Sequence, residues 1–231
     1  MLDSTFSTPK KEEQESISLS DQLRAGLEYR VIELVTIGYK KMRENGRYNV
    51  DWKENKFTAV LRGYIDKQCR EFSRRVSQQW AIDREHYHDN EDVIEGEADA
   101  DAVPRIDIVV LTWLNYEKLV FPFECKLIAE DDSTLIRLYI KKGLIERYLT
   151  EKNYASGASW GGMIAYILVG NHSSIVEKLN AQIHKQIGRK DAYLRAHPSI
   201  SQFDTIYVSS HQYSDSPKRL AVTHLLLTFF D

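Results

Sequence analysis

Two apolar runs separated by four residues constrain this chain more than any other feature. Ile106 to Leu114 (IDIVVLTWL) follows Pro104 and is rich in β-branched residues. Leu119 to Ile128 (LVFPFECKLI) is the second run, and Asn115 to Lys118 supplies the turn between them. Strands so close in sequence pair only antiparallel, because a parallel pair needs a crossover of about a dozen residues or more. A hairpin is therefore expected. Three charged residues interrupt its apolar sequence: Asp107, Glu124 and Lys126. Side chains alternate along a strand, so Glu124 and Lys126 share one face while Cys125 takes the other, and Asp107 on the partner strand can meet them.

Around the hairpin the pattern is helical first, then alternating. From Ser20, Leu23, Leu27, Val31, Leu34, Val35 and Gly38 follow a helical period that stops at Asn45-Gly46. A second helix opens at Asp51, with Glu54 placed to complete a capping box, and runs through Phe57, Leu61, Ile65 and Phe72. After the hairpin a helix is expected from Ser133 to Lys152, interrupted at Gly143. A Gly-rich turn (156 to 162) leads to a strand from Met163 to Val169. A further helix starts near Ser173 or Ser174 and carries Ile175, Leu179, Ile183 and Ile187 on one face; strands at Thr205 to Ser209 and His224 to Phe229 end the chain. This order predicts an α/β sandwich around a mixed sheet. Residues 1 to 17 read as a mobile polar tail and residues 18 to 231 as one domain, of which 18 to 46 is an added N-terminal helix.

Composition narrows the class. With 42% hydrophobic and 28% charged residues the chain is an ordinary globular protein, and its apolar stretches fall well short of the roughly 20 residues a membrane span needs. Two cysteines, Cys69 and Cys125, cannot make a disulfide framework, and no signal pattern opens the chain, so a cytoplasmic location is expected. A net charge of −3 excludes a uniformly basic nucleic-acid binder. The charge is uneven, however: nine acidic residues and one arginine lie between Asp83 and Asp101, whereas Arg137, Lys141, Lys142, Arg147 and Lys152 crowd a later helix. The acidic belt would repel phosphate until a partner or a second copy relieved it.

The chemistry concentrates in the hairpin. Two neighbouring carboxylates repel unless a cation lies between them, and hard oxygen donors suit Mg²⁺. A lysine beside them can orient or deprotonate a bound water. An acid followed two places later by lysine occurs three times: Asp51-Trp52-Lys53, Glu54-Asn55-Lys56 and Glu124-Cys125-Lys126. Capping and the helix dipole explain the first two. Only the third sits inside an apolar run, where charge is costly unless paired or bound to metal; the competing reading is a pair of solvated charges on an edge strand.

The motifs Pro104-Arg105-Ile106-Asp107 (PRID) and Phe123-Glu124-Cys125-Lys126 (FECK) resemble those of the PD-(D/E)XK, or restriction-endonuclease-like, nuclease superfamily. The stretches 139 to 170 and 209 to 231 look like its restriction-type members from prokaryotic phage-defence loci, and the likeness covers roughly residues 50 to 231. The resemblance implies a restriction-endonuclease-like α/β/α sandwich and a Mg²⁺-dependent nuclease, with Mn²⁺ able to substitute. Asp107, Glu124 and the main-chain carbonyl of Cys125 would ligate the ion, and Lys126 would position the attacking water. Glu54 would stand at the edge of the site, or else only cap its helix. Arg137, Lys141, Lys142 and Arg147 would contact phosphates, or else form a solvated helix face.

Other motifs carry less. His86 and His88 with Asp89, Glu91 and Asp92 match no zinc signature and read as a solvated loop. Gly161-Gly162 lacks the lysine and hydroxyl of a phosphate-binding loop and reads as a turn. His211 and Arg219 are weaker candidates, and Trp160, Tyr154 and the other aromatics show no interleaving with basic residues that would single out base stacking, so they read as core or interface. Three functions from different classes follow: a metal-dependent nuclease acting on DNA, a non-catalytic or partner-activated nucleic-acid-binding subunit of a defence complex, and a nuclease directed at RNA; the expected assembly is a homodimer or a complex with a partner subunit.

Overall fold

The computed structural model describes residues 19–83, 106–150, 159–198, 200, 205–213 and 219–230. The proposed tail, the histidine-rich loop, the acidic belt beyond Asp83, and Pro104 and Arg105 lie outside them. Helix α1 (Leu19–Glu44) and helix α2 (Glu54–Arg75) come first, followed by strand β1 (Trp80–Asp83) and the hairpin of β2 (Ile108–Leu114) and β3 (Glu117–Ala129). Helix α3 (Ser133–Leu138) continues into a π-helical stretch (Tyr139–Leu149). Then come β4 (Trp160–Val169), α4 (His172–Ile187), a 3₁₀ turn (Lys190–Ala192), β5 (Arg195–Ala196), β6 (Ile206–Gln212) and β7 (Arg219–Thr228).

The strands form one seven-stranded mixed sheet in the order β1-β2-β3-β4-β7-β6-β5. β3 pairs antiparallel with β2 and parallel with β4, whose partner β7 is also parallel to it. Alternation decides which face each residue covers. Ile108, Val110, Phe121, Phe123, Cys125, Ile164, Tyr166, Leu225 and Leu227 pack with Val31, Val35, Phe57, Leu61 and Ile65 of α1 and α2. Val109, Leu111, Ile128, Met163, Ala165, Ile167 and Leu226 pack with Ile136, Tyr139, Leu144, Tyr148, Leu179 and Ile183 of the later helices. Helices thus lie on both faces of a mixed sheet, as expected of an α/β sandwich, and each fully buried side chain of this size contributes roughly 1.5–3 kcal/mol. Among the described residues no helix is long and apolar enough to cross a membrane.

Several expectations are corrected. The hairpin turn is shorter than Asn115 to Lys118: Asn115 and Tyr116 both take positive φ (50° and 70°), and Glu117 already pairs with Leu114. Two consecutive left-handed residues match the right-handed twist of the flanking strands. Leu23 is exposed rather than buried, since the first turns of α1 extend beyond the core. Gly143 does not interrupt its helix. There the helix widens to π geometry, closing with Thr150 N–H bonded to the Ile145 carbonyl five residues back. Gly161 and Gly162 are not a turn but the start of buried β4, where added Cβ atoms would stand 2.4 Å from Tyr148 and 2.3 Å from Phe123 ring carbons. Absent side chains let two aromatic rings lie on the strand. Strands β1 and β5, at the two edges of the sheet, have too little apolar periodicity to be read from sequence.

Candidate active site

The site is built on an overhang. β2 begins at Ile108, opposite Phe123, whereas β3 runs on to Ala129, so residues beyond Phe123 have no strand on that side among the described residues. Main-chain groups of Cys125 and Leu127 face this open edge and need other partners. Three side chains supply them. Asp107, at the bend just before β2 rather than within it, accepts from Cys125 N–H at 2.7 Å through Oδ2. Glu54 accepts from Leu127 N–H at 3.3 Å through Oε2, and Lys126 Nζ donates to the Cys125 carbonyl at 2.8 Å.

The two readings of Glu54 are separable here. α2 starts at Glu54 itself, not at Asp51; Lys53 is the residue before it and makes no side-chain cap. The expected capping box is therefore absent. Released from that duty, the Glu54 carboxylate reaches across to β3, with Oε1 3.0 Å from Lys126 Nζ.

Glu124 and Lys126 share a face, as alternation requires, and meet at 2.7 Å. The alternative of solvated charges on an edge strand is overturned by burial: although β3 is open on one side here, Glu124 is only 2% exposed. Across them lies the π-helical stretch, brought close by Gly143: a Cβ there would stand 2.6 Å from Met163 Cε, 3.5 Å from Lys126 Cγ and 3.8 Å from Glu124 Cγ. The sequence offered no sign of this close approach. Among the four candidate phosphate contacts, Arg147 alone reaches the site, its Nε 3.6 Å from Glu124 Oε1. Arg137 and Lys141 are exposed, and exposed Lys142 pairs with Glu146 at 2.8 Å.

Three carboxylates thus face two cations. Burial first, and then the negative charge of Glu124, push the Asp107 carboxyl up to about 7, against the pull of Lys126 and of the Cys125 N–H. Burial alone would lower Lys126, but Glu124, Glu54 and Asp107 together outweigh it and hold the ammonium above its usual value. Lys126 therefore stays charged. Its Nζ lies within 3.0 Å of Glu124 Oε1, the Cys125 carbonyl and Glu54 Oε1, so the oxygens already surround one cation. Glu124 Oε2 is buried without a hydrogen-bond partner among the described residues, a condition that costs roughly 1–3 kcal/mol or more for a charged group.

These donors fit a hard divalent ion. An orphaned carboxylate oxygen and a carboxyl driven towards protonation by burial and then by like charge are each relieved by added positive charge. Among the described residues no three acidic, histidine or cysteine side chains gather closely enough to cage a metal alone. Cys125 itself is fully buried, and burial pushes its thiol well above the usual range, so it packs as a small apolar residue. Comparison of the chain with family models, with curated proteins and with solved structures gives no match.

Proposed function

We propose that this chain is a Mg²⁺-dependent nuclease of the PD-(D/E)XK type, acting on DNA in prokaryotic antiviral defence, with the restriction-endonuclease-like variant of the α/β sandwich as its fold. The observation that carries the reading is the convergence of Glu124, Lys126, Asp107 and Glu54 on the stretch of β3 that runs past the start of β2. In this reading Asp107, Glu124 and the Cys125 carbonyl hold the ion. Bound there, it would polarise a phosphoryl oxygen and steady the leaving oxygen.

The chain's own groups do the rest. Lys126 acts as a donor: with Glu124 and the Cys125 carbonyl turned to the ion, its Nζ has N–H groups free to orient the attacking water and to balance charge at the reacting phosphate. Glu54 fixes the ammonium in turn. Arg147, whose side chain is 33% exposed, can turn its guanidinium from Glu124 to a phosphate oxygen. The test is cleavage of plasmid and labelled oligonucleotides with Mg²⁺ or Mn²⁺, alongside RNA of the same sequence. Glu124→Ala, Asp107→Asn and Lys126→Ala are each expected to slow cleavage on the order of 10²–10³-fold or more. Undiminished cleavage in Glu124→Ala removes the reading, and faster digestion of RNA reassigns the substrate.

A further inference from the structure

Away from β3, the connection between α1 and α2 and the outer face of α2 enclose an open groove of about 520 Å³, within the roughly 300–1,000 Å³ range of ligand clefts. Tyr48, Trp52 and Tyr64 line it, each half-buried. Tyr48 packs edge-on against Phe229 and Trp52 edge-on against Phe57, so the core anchors these two rings from behind. The cations are interleaved with them. Lys56, outside the lining itself, has its Nζ 4.9 Å over the Trp52 ring; Lys67 Nζ lies 5.4 Å over the Tyr64 ring, and Arg47 stands exposed beside Tyr48. Among the described residues that line the groove, none is acidic.

Gly63 forms part of the floor. Glycine inside a helix is unfavourable, and nothing here demands it: a Cβ would meet no atom within 4 Å. The missing side chain leaves the floor open to a flat ligand. Exposed cation–π contacts are weak beside the stacking of a nucleobase on an aromatic ring, so a base can displace either lysine from its ring and leave the ammonium free for the adjoining phosphate.

We propose that this groove binds single-stranded nucleic acid, with bases stacked on Tyr48, Trp52 and Tyr64 and phosphates held by Arg47, Lys56 and Lys67. The proposal rests on the nucleic-acid reading of the β3 site and adds the place where an unpaired strand is held. It fits a chain whose net charge is negative, because the attraction is local and the stacking does not depend on sequence.

The test is fluorescence anisotropy of labelled oligo-dT and oligo-U with the full chain in EDTA, so that retention is read without cleavage. Lys56→Glu/Lys67→Glu is expected to weaken binding at least about tenfold and to flatten its salt dependence. Gly63→Leu fills the floor and weakens binding with the fold intact by circular dichroism. Trp52→Phe keeps a stacking face, so binding stays while ligand-induced tryptophan quenching is lost. Unchanged affinity in the charge-reversal and Gly63→Leu variants overturns the proposal, as does failure of the unaltered chain to retain either oligonucleotide. Equal displacement of the oligonucleotide by poly-glutamate also overturns it, since that ligand has charge without bases. Glu124→Ala separates the two claims: cleavage lost with binding kept tests the β3 site alone, and groove variants that lose binding in a chain that never cleaves sink the nuclease reading while the groove stands.

Discussion

The edge of β3 and the interior of the β6–β7 pair both bury polar side chains, yet the first is charged and the second neutral. In the interior, Tyr139 Oη bonds His224 Nδ1 at 2.9 Å, His224 Nε2 bonds Ser209 Oγ at 2.8 Å, and Ser209 Oγ bonds His211 Nε2 at 2.7 Å. Burial, reinforced by the neighbouring His211, lowers His224 to about 3, and burial lowers His211 to about 4. Both imidazoles are therefore neutral at pH 7, and each hydroxyl and ring can donate and accept in turn. That chain is a structural solution to burial; His211 Nδ1 alone lacks a partner among the described residues. At the β3 edge three carboxyl groups face Lys126 and Arg147, and Glu124 Oε2 has no hydrogen-bond partner among the described residues. Unbalanced charge held in a buried position, where neutral bonding would be cheaper, is unusual for a core and is the feature on which the proposed ion site rests.

The largest effect that bears on this contrast is expected from Lys126→Met. It leaves Glu124 buried with Arg147 at 3.6 Å as its nearest cation, and should cost about 3–5 kcal/mol of stability at pH 7 in urea unfolding. Removing the orphaned charge as well, in Lys126→Met/Glu124→Met, should recover much of that loss. A cost below about 1 kcal/mol in the single variant means that Glu124 does not depend on Lys126.

Next in size is the response to acid. The histidines have folded pKa values below the unfolded 6.5, so their neutral forms contribute stability that is complete above about 6.5 and lost as pH falls towards about 4. For His211 alone this amounts to roughly 3 kcal/mol, and His224 adds in the same direction. Asp107 runs oppositely: its folded pKa is raised, so its contribution is complete below about 4 and lost as pH rises through about 7. The two regions thus pull the pH profile in opposite directions. Asp107→Asn isolates the histidine window, and its unfolding free energy should drop more steeply between pH 6.5 and 4 than that of the unaltered chain. Parallel profiles would falsify the assignment of opposite signs.

Ser209→Ala should have a smaller effect. It removes the hydroxyl joining the two imidazoles without stranding a charge, and about 1–3 kcal/mol is expected. A loss larger than that of Lys126→Met would invert the ranking of the two clusters.

How far these regions were legible in advance follows from the range of their contacts. The hairpin, the shared face of Glu124 and Lys126, and the opposed position of Cys125 follow from a period of two and a short loop, all local. The parallel crossover and the flanking helices follow from apolar spacing. The overhang of β3 was not legible, because it depends on where β2 begins, and Asp107 reads equally well inside a strand or just before one. Gly143 read as a helix break because only the nearness of Met163 and Lys126 reveals what its missing side chain permits. The Tyr139–His224–Ser209–His211 chain joins residues up to 85 positions apart, and no local pattern announces it. The α2 groove is different: Arg47, Tyr48, Trp52, Lys56, Tyr64 and Lys67 follow one another in a single local stretch, but only the packing of α2 on the core shows that Tyr48, Trp52 and Tyr64 share one open surface.

The smallest effect is expected at Glu54, where the choice between a capping role and a role in the site can be made directly. Glu54→Gln keeps the length and an acceptor for Leu127 N–H but removes the charge paired with Lys126. Because its side chain is 29% exposed, the ion pair is screened, and stability should fall by only about 0.5–1 kcal/mol, less at high salt. A capping role predicts the same small loss whether or not Lys126 is present, since it concerns only the first turn of α2. A role in the site predicts coupling: in a Lys126→Met background the loss should vanish or reverse, because the remaining carboxylate then only adds repulsion to Glu124 and Asp107. Additive losses in that double-mutant cycle would return Glu54 to its helix and leave the β3 edge with two carboxylates rather than three.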